Sequence, residues 1–257
     1  MKTQESANPH ANQTKNRAID GFTRIELVVV LIVIVAVCSV MIPFLSRSKE
    51  RAEHMQCVNN LKQIGVAYRV WSSSHFGMYP SLAPITGGGW HELLSGGNAG
   101  RYCWKNYALM SNELGLSARV LVCPSDERLP AAAFKDFTNN AALSYFVGPS
   151  ADDSHPSSLL GGDRNLAPGI VPRNDYGCSP KDGNGNDVVI KGPACWSLKM
   201  HSHGSVPGSG DILLGDGSVQ EVSSADVWPA GLLGTNSLGA VWTATTTNSS
   251  GVRLIFP

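Results

Sequence analysis

Two histidines, His201 and His203, stand either side of a single serine. In an extended segment alternate residues share a face, so these imidazoles would form half of a zinc or copper site. No second ligand pair accompanies them, so ordinary exposed loop histidines are the competing reading. Asp182, Asn184, Asn186 and Asp187 place oxygen ligands at close spacing, as a calcium loop does. That loop lacks the glycine of its sixth position and carries Pro193 where a bidentate glutamate belongs, which leaves a plain Asx turn as the alternative. Six cysteines occur, at 38, 57, 103, 123, 178 and 195, with no Cys-x-x-Cys pair that would mark a zinc ribbon or a redox motif. Cys38 lies inside an apolar run. The remaining five leave at least one unpaired if disulfides form. Cys103–Cys123 and Cys178–Cys195 close the shorter loops, but spacing does not select partners.

Catalytic arrangements are sparse. No Gly-x-Ser-x-Gly elbow is present, and Gly208-Ser209-Gly210 and Gly217-Ser218 read as turns. Asp152-Asp153 and Asp163-Arg164 supply acid and base types, but as neighbours in loops they are expected in solvent. The expectation is therefore a protein that is not an enzyme. Trp90, Trp104, Trp196, Trp228 and Trp242 would line a carbohydrate-binding face or, as is commoner, a core or subunit interface. The 20 Lys plus Arg balance 20 Asp plus Glu, so no basic excess argues for nucleic acid.

The elements that must carry these residues begin with a change of character near residue 21. Residues 1–20 are polar and show no apolar face. From Leu27 to Leu45 no charge occurs, and at about 1.5 Å per residue the run covers about 29 Å, the thickness of a bilayer's hydrocarbon. No small-residue cleavage site follows it, so the run stays in the mature protein as a transmembrane helix. Lys and Arg flank both ends and do not orient it. Glu26 stands at its head, beside Arg24. An ionisable group there is a functional candidate that needs a cationic partner, or else a headgroup-level residue.

Gly21-Phe22-Thr23-Arg24-Ile25-Glu26-Leu27, running into a Val/Ile/Leu helix, resembles the processing motif of the type IV pilins and type II secretion pseudopilins. The resemblance implies a cut after Gly21 by a prepilin peptidase and N-methylation of Phe22. Glu26 then becomes the fifth mature residue and Pro43 the twenty-second, where that family has a helix-kinking proline. It further implies that Glu26 pairs with the Phe22 amine of a neighbouring subunit during assembly. Asp20 and Arg24 depart from the family pattern, which usually has a base before the glycine and an apolar residue at the third mature position.

Beyond the apolar run, Ala52, Met55, Val58, Leu61, Ile64, Tyr68 and Trp71 recur every three or four residues, predicting an amphipathic helix to about Ser74. Strands are predicted at Val120–Val122, Leu143–Val147, Val188–Ile190 and Ile212–Leu214, with short helical pieces at Trp90–Leu94 and Tyr107–Leu114. Residues 149–187, rich in Gly, Pro, Asp and Asn, are predicted to be mostly loop. Asp211 to Val222 reads as a hairpin turning at Asp216-Gly217.

Three landmarks extend the resemblance to a large group of bacterial pseudopilin-like proteins. These are Cys57-Val-Asn-Asn-Leu-Lys-Gln-Ile-Gly65, Cys123-Pro-Ser-Asp126, and a His-Gly followed by the Gly-Asp-Gly-Ser-Val hairpin. In that group the His precedes the Asp-Gly more closely, and Pro207-Gly208-Ser209-Gly210 reads as an insertion here. The resulting expectation is an α+β, pilin-like fold. It comprises a leader (1–21), a transmembrane helix (22–46), its amphipathic continuation (47–76) and a loop-rich antiparallel β domain (77–257). The resemblance implies a single-pass protein of the bacterial inner membrane with its leader cytoplasmic and its β domain periplasmic. Its partners would be prepilin peptidase, membrane lipid and other pilin subunits. It carries no cofactor, unless calcium occupies the 182–187 loop. The alternatives are a tethered minor pilin or binding module for a glycan or protein, and a signal-anchored enzyme.

Overall fold

The computed structural model describes residues 23–190, 193–201, 208–224 and 252–257, with backbone alone at 43, 44, 46 and 47. The expected leader, the Gly21–Phe22 cleavage site, His203, Trp228 and Trp242 lie outside the described residues.

A single helix, α1, runs from Arg24 to Ser73. Its first turn is closed by a reciprocal capping box. The Thr23 N–H and hydroxyl both donate to Glu26 Oε2 at 2.8 Å, and the Glu26 N–H donates back to Thr23 Oγ1 at 3.3 Å. The chain divides into two compact units between Arg47 and Ser48, and each is described by itself. In the first, Arg24–Ile42 is long and apolar enough to cross a membrane, and none of it is buried. Pro43 falls within the run of α1, whose backbone is helical on both sides of it.

The second unit is built on a six-stranded sheet. Its strands are β1 (Tyr145–Val147), β2 (Leu159–Asp163), β4 (Asn186–Ile190), β6 (Ser209–Leu214), β7 (Val219–Ser223) and β8 (Val252–Phe256), while β3 (Leu166–Pro168) pairs with β5 (Ala194–Trp196) in a second, two-stranded sheet. The order in the large sheet is β4-β8-β1-β2-β6-β7, and every described pairing is antiparallel. The fold is α+β.

Side chains alternate across a pleated strand, and here the two faces feed two cores. Tyr145, Val147, Leu160, Leu213 and Ile255 pack with Cys57, Leu61, Ile64, Tyr68 and Trp71 of α1. Phe146, Ile212, Leu214, Leu254 and Phe256 face the opposite way, onto Leu166, Ala194 and Trp196 of the small sheet. The α1 face is turned slightly from the expected one: Ala52 and Met55 are exposed, whereas Cys57 and Asn60 point inward. Gly65 lets the helix approach the β6–β7 turn. A Cβ there would lie 2.9 Å from Leu213 Cδ1 and 3.0 Å from the Gly217 carbonyl oxygen. Arg69 adds a hydrogen bond to the Asp216 carbonyl. Gly217 itself has a φ of 81°, the left-handed conformation a tight turn requires.

Several expectations are corrected. Val120–Val122 is not a strand: Ala118–Leu121 is a 3-10 helix, and only Val122 is extended. Residues 149–187 are mostly loop, as expected, but they also hold β2, β3 and the start of β4. Strand β2 is Leu-Leu-Gly-Gly-Asp, buried at every position, so it has neither polar alternation nor β-branched residues to announce it. The first helical piece is a 3-10 helix at His91–Gly96. The second is a short α-helix, α2, at Cys103–Ala108, earlier in the chain than expected. Strands within Leu143–Val147, Val188–Ile190 and Ile212–Leu214, and the Asp-Gly hairpin, are present as expected.

Candidate functional site

Where α1 crosses the sheet, four ligand-type side chains from four parts of the chain converge. Cys57 comes from α1, Cys123 follows the 3-10 helix Ala118–Leu121, Asp163 ends β2, and His201 follows β5. One donor atom from each lies within 4.8 Å of all the others, and all four residues are buried. His201 Nε2 is 3.3 Å from Cys123 Sγ and 3.3 Å from Asp163 Oδ2. Cys57 Sγ is 3.3 Å from Asp163 Oδ1.

Local structure aims each group. Tyr145 pairs directly with Asp163 across β1 and β2, so both face α1. The Tyr145 hydroxyl lies 3.4 Å from Cys57 Sγ. The Asp211 N–H on β6 donates to Asp163 Oδ2 at 2.7 Å. Asn60, one turn after Cys57, donates to the Val122 carbonyl and ties α1 to the Cys123 segment. Met200 adopts a left-handed φ of 67° immediately before His201, within a bend. The Asn165 amide donates to the Lys199 and Ser209 carbonyls.

Electrostatics separate the two thiols. Burial pushes Cys57 well above the usual thiol range. Burial acts on Cys123 in the same sense, but its hydrogen bonds with Cys57 and His201 outweigh it and draw the thiol down. Burial opposes charge on His201, yet the Asp163 carboxylate and Cys123 raise it to about 11. Beside the cluster, His54 Nε2 lies 3.1 Å from Asp211 Oδ1, and the two histidine rings are 4.7 Å apart. The Asp211 hydrogen bond raises His54, while burial raises Asp211. Asp211 Oδ2 is buried without a hydrogen-bond partner among the described residues, 3.9 Å from His201 Nε2.

The landmark Cys123-Pro-Ser-Asp126 serves two sites. Cys123 enters the cluster, whereas Asp126 forms a paired set of 2.7 Å hydrogen bonds with buried Arg164, whose guanidinium stacks on Tyr176. Asp163 and Arg164, expected in solvent, are both buried.

None of the six cysteines is in a disulfide, so neither Cys103–Cys123 nor Cys178–Cys195 is joined. Loop length was a poor guide because Cys103 turns toward the Ile255 carbonyl, 3.3 Å away, while Cys123 faces Cys57 and His201. The residues of the expected calcium loop have separate partners. Asp182 caps an Asx turn to Asn184, Asn186 donates to the Cys178 carbonyl, and Asp187 forms a two-point ion pair with Arg253. Trp90 and Trp196 are core residues, so they do not line a surface; Trp90 donates to Asn106 at 2.9 Å. His201, a ligand candidate from the sequence, lies in this cluster, while its expected companion His203 is outside the described residues; the pairing of Cys57 with Asp163 had no local signal. The available signal was that Cys57 and Cys123 each open a landmark and that His201 lies two residues before the His-Gly that opens the third.

Compared with protein-family models, with characterised proteins and with solved structures, the chain matches none.

Proposed function

We propose that this is a membrane-anchored assembly subunit in which one helix serves as both anchor and core. More specifically, it is a prepilin or pseudopilin, cut between Gly21 and Phe22 and built into a type IV pilus-like or type II secretion filament. The observation that carries the reading is the division of labour within α1. The segment Arg24–Ile42 is apolar and wholly exposed, whereas Cys57 to Trp71 is the central helix of the sheet domain. An exposed apolar surface of that length needs lipid or like helices to cover it. Glu26 sits at its head, and the motif before it supplies the amine that would neutralise it in a neighbouring copy.

On this reading prepilin peptidase removes residues 1–21 on the cytoplasmic side of the inner membrane, and Phe22 is methylated. The sheet domain stands in the periplasm. The capping box is a resting state for Glu26: Thr23 satisfies the carboxylate within one chain until a neighbour's terminus replaces it. Of the tryptophans a carbohydrate-binding face would draw on, Trp90 and Trp196 are buried and Trp104 is half-buried.

N-terminal sequencing and mass measurement of the protein from membrane fractions test the reading. A mature chain beginning at N-methylated Phe22 is expected. A chain that keeps residues 1–21, or that is recovered without membrane, overturns it.

A further inference from the structure

We infer that Cys57, Cys123, Asp163 and His201 form a zinc site that fastens the core helix to the sheet. The inference does not rest on the pilin reading, since it concerns only the second compact unit.

The geometry fits four-coordination. Zinc bonds of about 2.0–2.3 Å to sulfur, nitrogen and oxygen place tetrahedral ligands about 3.3–3.8 Å apart. Whichever Asp163 oxygen serves as donor, two of the contacts among the four donor atoms are already 3.3 Å, His201 to Cys123 and Asp163 to either Cys57 or His201, and no pair exceeds 4.8 Å. The donor set selects the ion: two thiolates and an imidazole suit zinc, whereas calcium and magnesium take oxygen ligands. Four protein donors, all buried, leave no open position for water or substrate, which makes the site structural, not catalytic.

Surrounding groups supply the support that ligands of a bound metal need. The Tyr145 hydroxyl is placed to donate to the Cys57 sulfur, and the Asp211 N–H holds the Asp163 carboxylate. Asp211 Oδ2, buried and without a hydrogen-bond partner among the described residues, faces the His201 ring at 3.9 Å and adds negative charge beside the cluster that a bound cation would balance. Without a metal, two thiols, two carboxylates and an imidazole are packed together out of water, a costly arrangement. The ligands also come from four separate stretches spanning residues 57 to 201, so one ion links α1, the Cys123 segment, β2 and the loop after β5.

The test uses the full chain in detergent, purified without chelator. Elemental analysis by mass spectrometry is expected to find about one zinc per chain. Exchange into cobalt is expected to give a thiolate-to-cobalt charge-transfer band, with the intense visible absorption of tetrahedral cobalt. The double variant Cys57→Ser/Cys123→Ser is expected to lose both metal and band. Because that variant could fail to fold, the cobalt spectrum of the unaltered chain stands as an independent reading. Three results overturn the proposal: no bound metal and free thiols, zinc retained undiminished by the folded double variant, or a Cys57–Cys123 disulfide in the intact mass of unreduced protein.

Discussion

Cys57 on the core helix and Asp163 at the end of β2 are separated by 106 residues in the chain, yet their side chains meet at 3.3 Å. A contact between such distant parts of the chain costs loop-closure entropy and must be held by what surrounds it. Here the Tyr145–Asp163 pairing, the Asn60 hydrogen bond and the packing of Leu61 and Ile64 hold it. An ion bridging the two would add directly to the stability of the folded domain.

Chelation is therefore expected to lower the melting temperature, and zinc, but not calcium or magnesium, to restore it. With free zinc about a thousandfold above its dissociation constant, the linkage is worth about 4 kcal/mol. Thermal unfolding with and without chelator measures it. An unchanged melting temperature after the metal content has been shown to fall to zero counts against the site.

At the Asp126–Arg164 pair, replacing Asp126 by Asn leaves a buried guanidinium without its counter-charge. The expected loss is about 3–5 kcal/mol at neutral pH. Burial works to raise the Asp126 carboxyl, but the Arg164 hydrogen bonds and charge outweigh it and hold the group below its ordinary range. A pKa lower in the folded chain than in the unfolded one stabilises the fold above about pH 4. That contribution is lost as the pH falls through the folded value. Melting curves across the acid range should show the gap between Asp126→Asn and the parent narrowing below about pH 4. A gap of constant size would show that the carboxylate's charge is not what stabilises.

Gly65→Val should loosen the seat of the hairpin on the helix. Even a Cβ at this position would stand 3.0 Å from the Gly217 carbonyl oxygen and 3.1 Å from its Cα, and backbone gives way less readily than the Leu213 methyl. Overpacking of this kind costs about 1–3 kcal/mol. Hydrogen exchange would report it as faster opening of β6 and β7, with α2 little changed. Uniform change across the domain would contradict the local account.

Glu26 has a structural role and a proposed assembly role, and two substitutions separate them. Glutamine also closes a capping box, so Glu26→Gln keeps the first turn of α1 while removing the charge. Thr23→Ala does the reverse. If the charge pairs with a neighbour's amine, Glu26→Gln reduces filament crosslinking at least about tenfold, as loss of one member of a desolvated pair should. Thr23→Ala leaves crosslinking near normal. Equal effects of the two would assign Glu26 to helix capping.

What the residues disclosed in advance were the features set by local periodicity. The charge-free run after Glu26, the three-and-four spacing from Leu61 to Trp71 and the Asp216-Gly217 turn each depend on neighbours a few positions apart. Strand β2 escaped because a strand buried on both sides shows no alternation, and its glycines suggested loop. His201 was visible as a possible ligand, but nothing near it in the chain pointed to Cys123 and Asp163, each 3.3 Å from its ring.

Composition and local pattern thus determined an anchor-length helix, an amphipathic continuation and an antiparallel hairpin, because those follow from backbone geometry repeated over short distances. Only the tertiary structure decided that Cys57, Cys123, Asp163 and His201 share one buried point. Strand order and register, together with the rotation of α1 that turns Cys57 inward and Met55 outward, are long-range outcomes of packing. No spacing between adjacent residues encodes them.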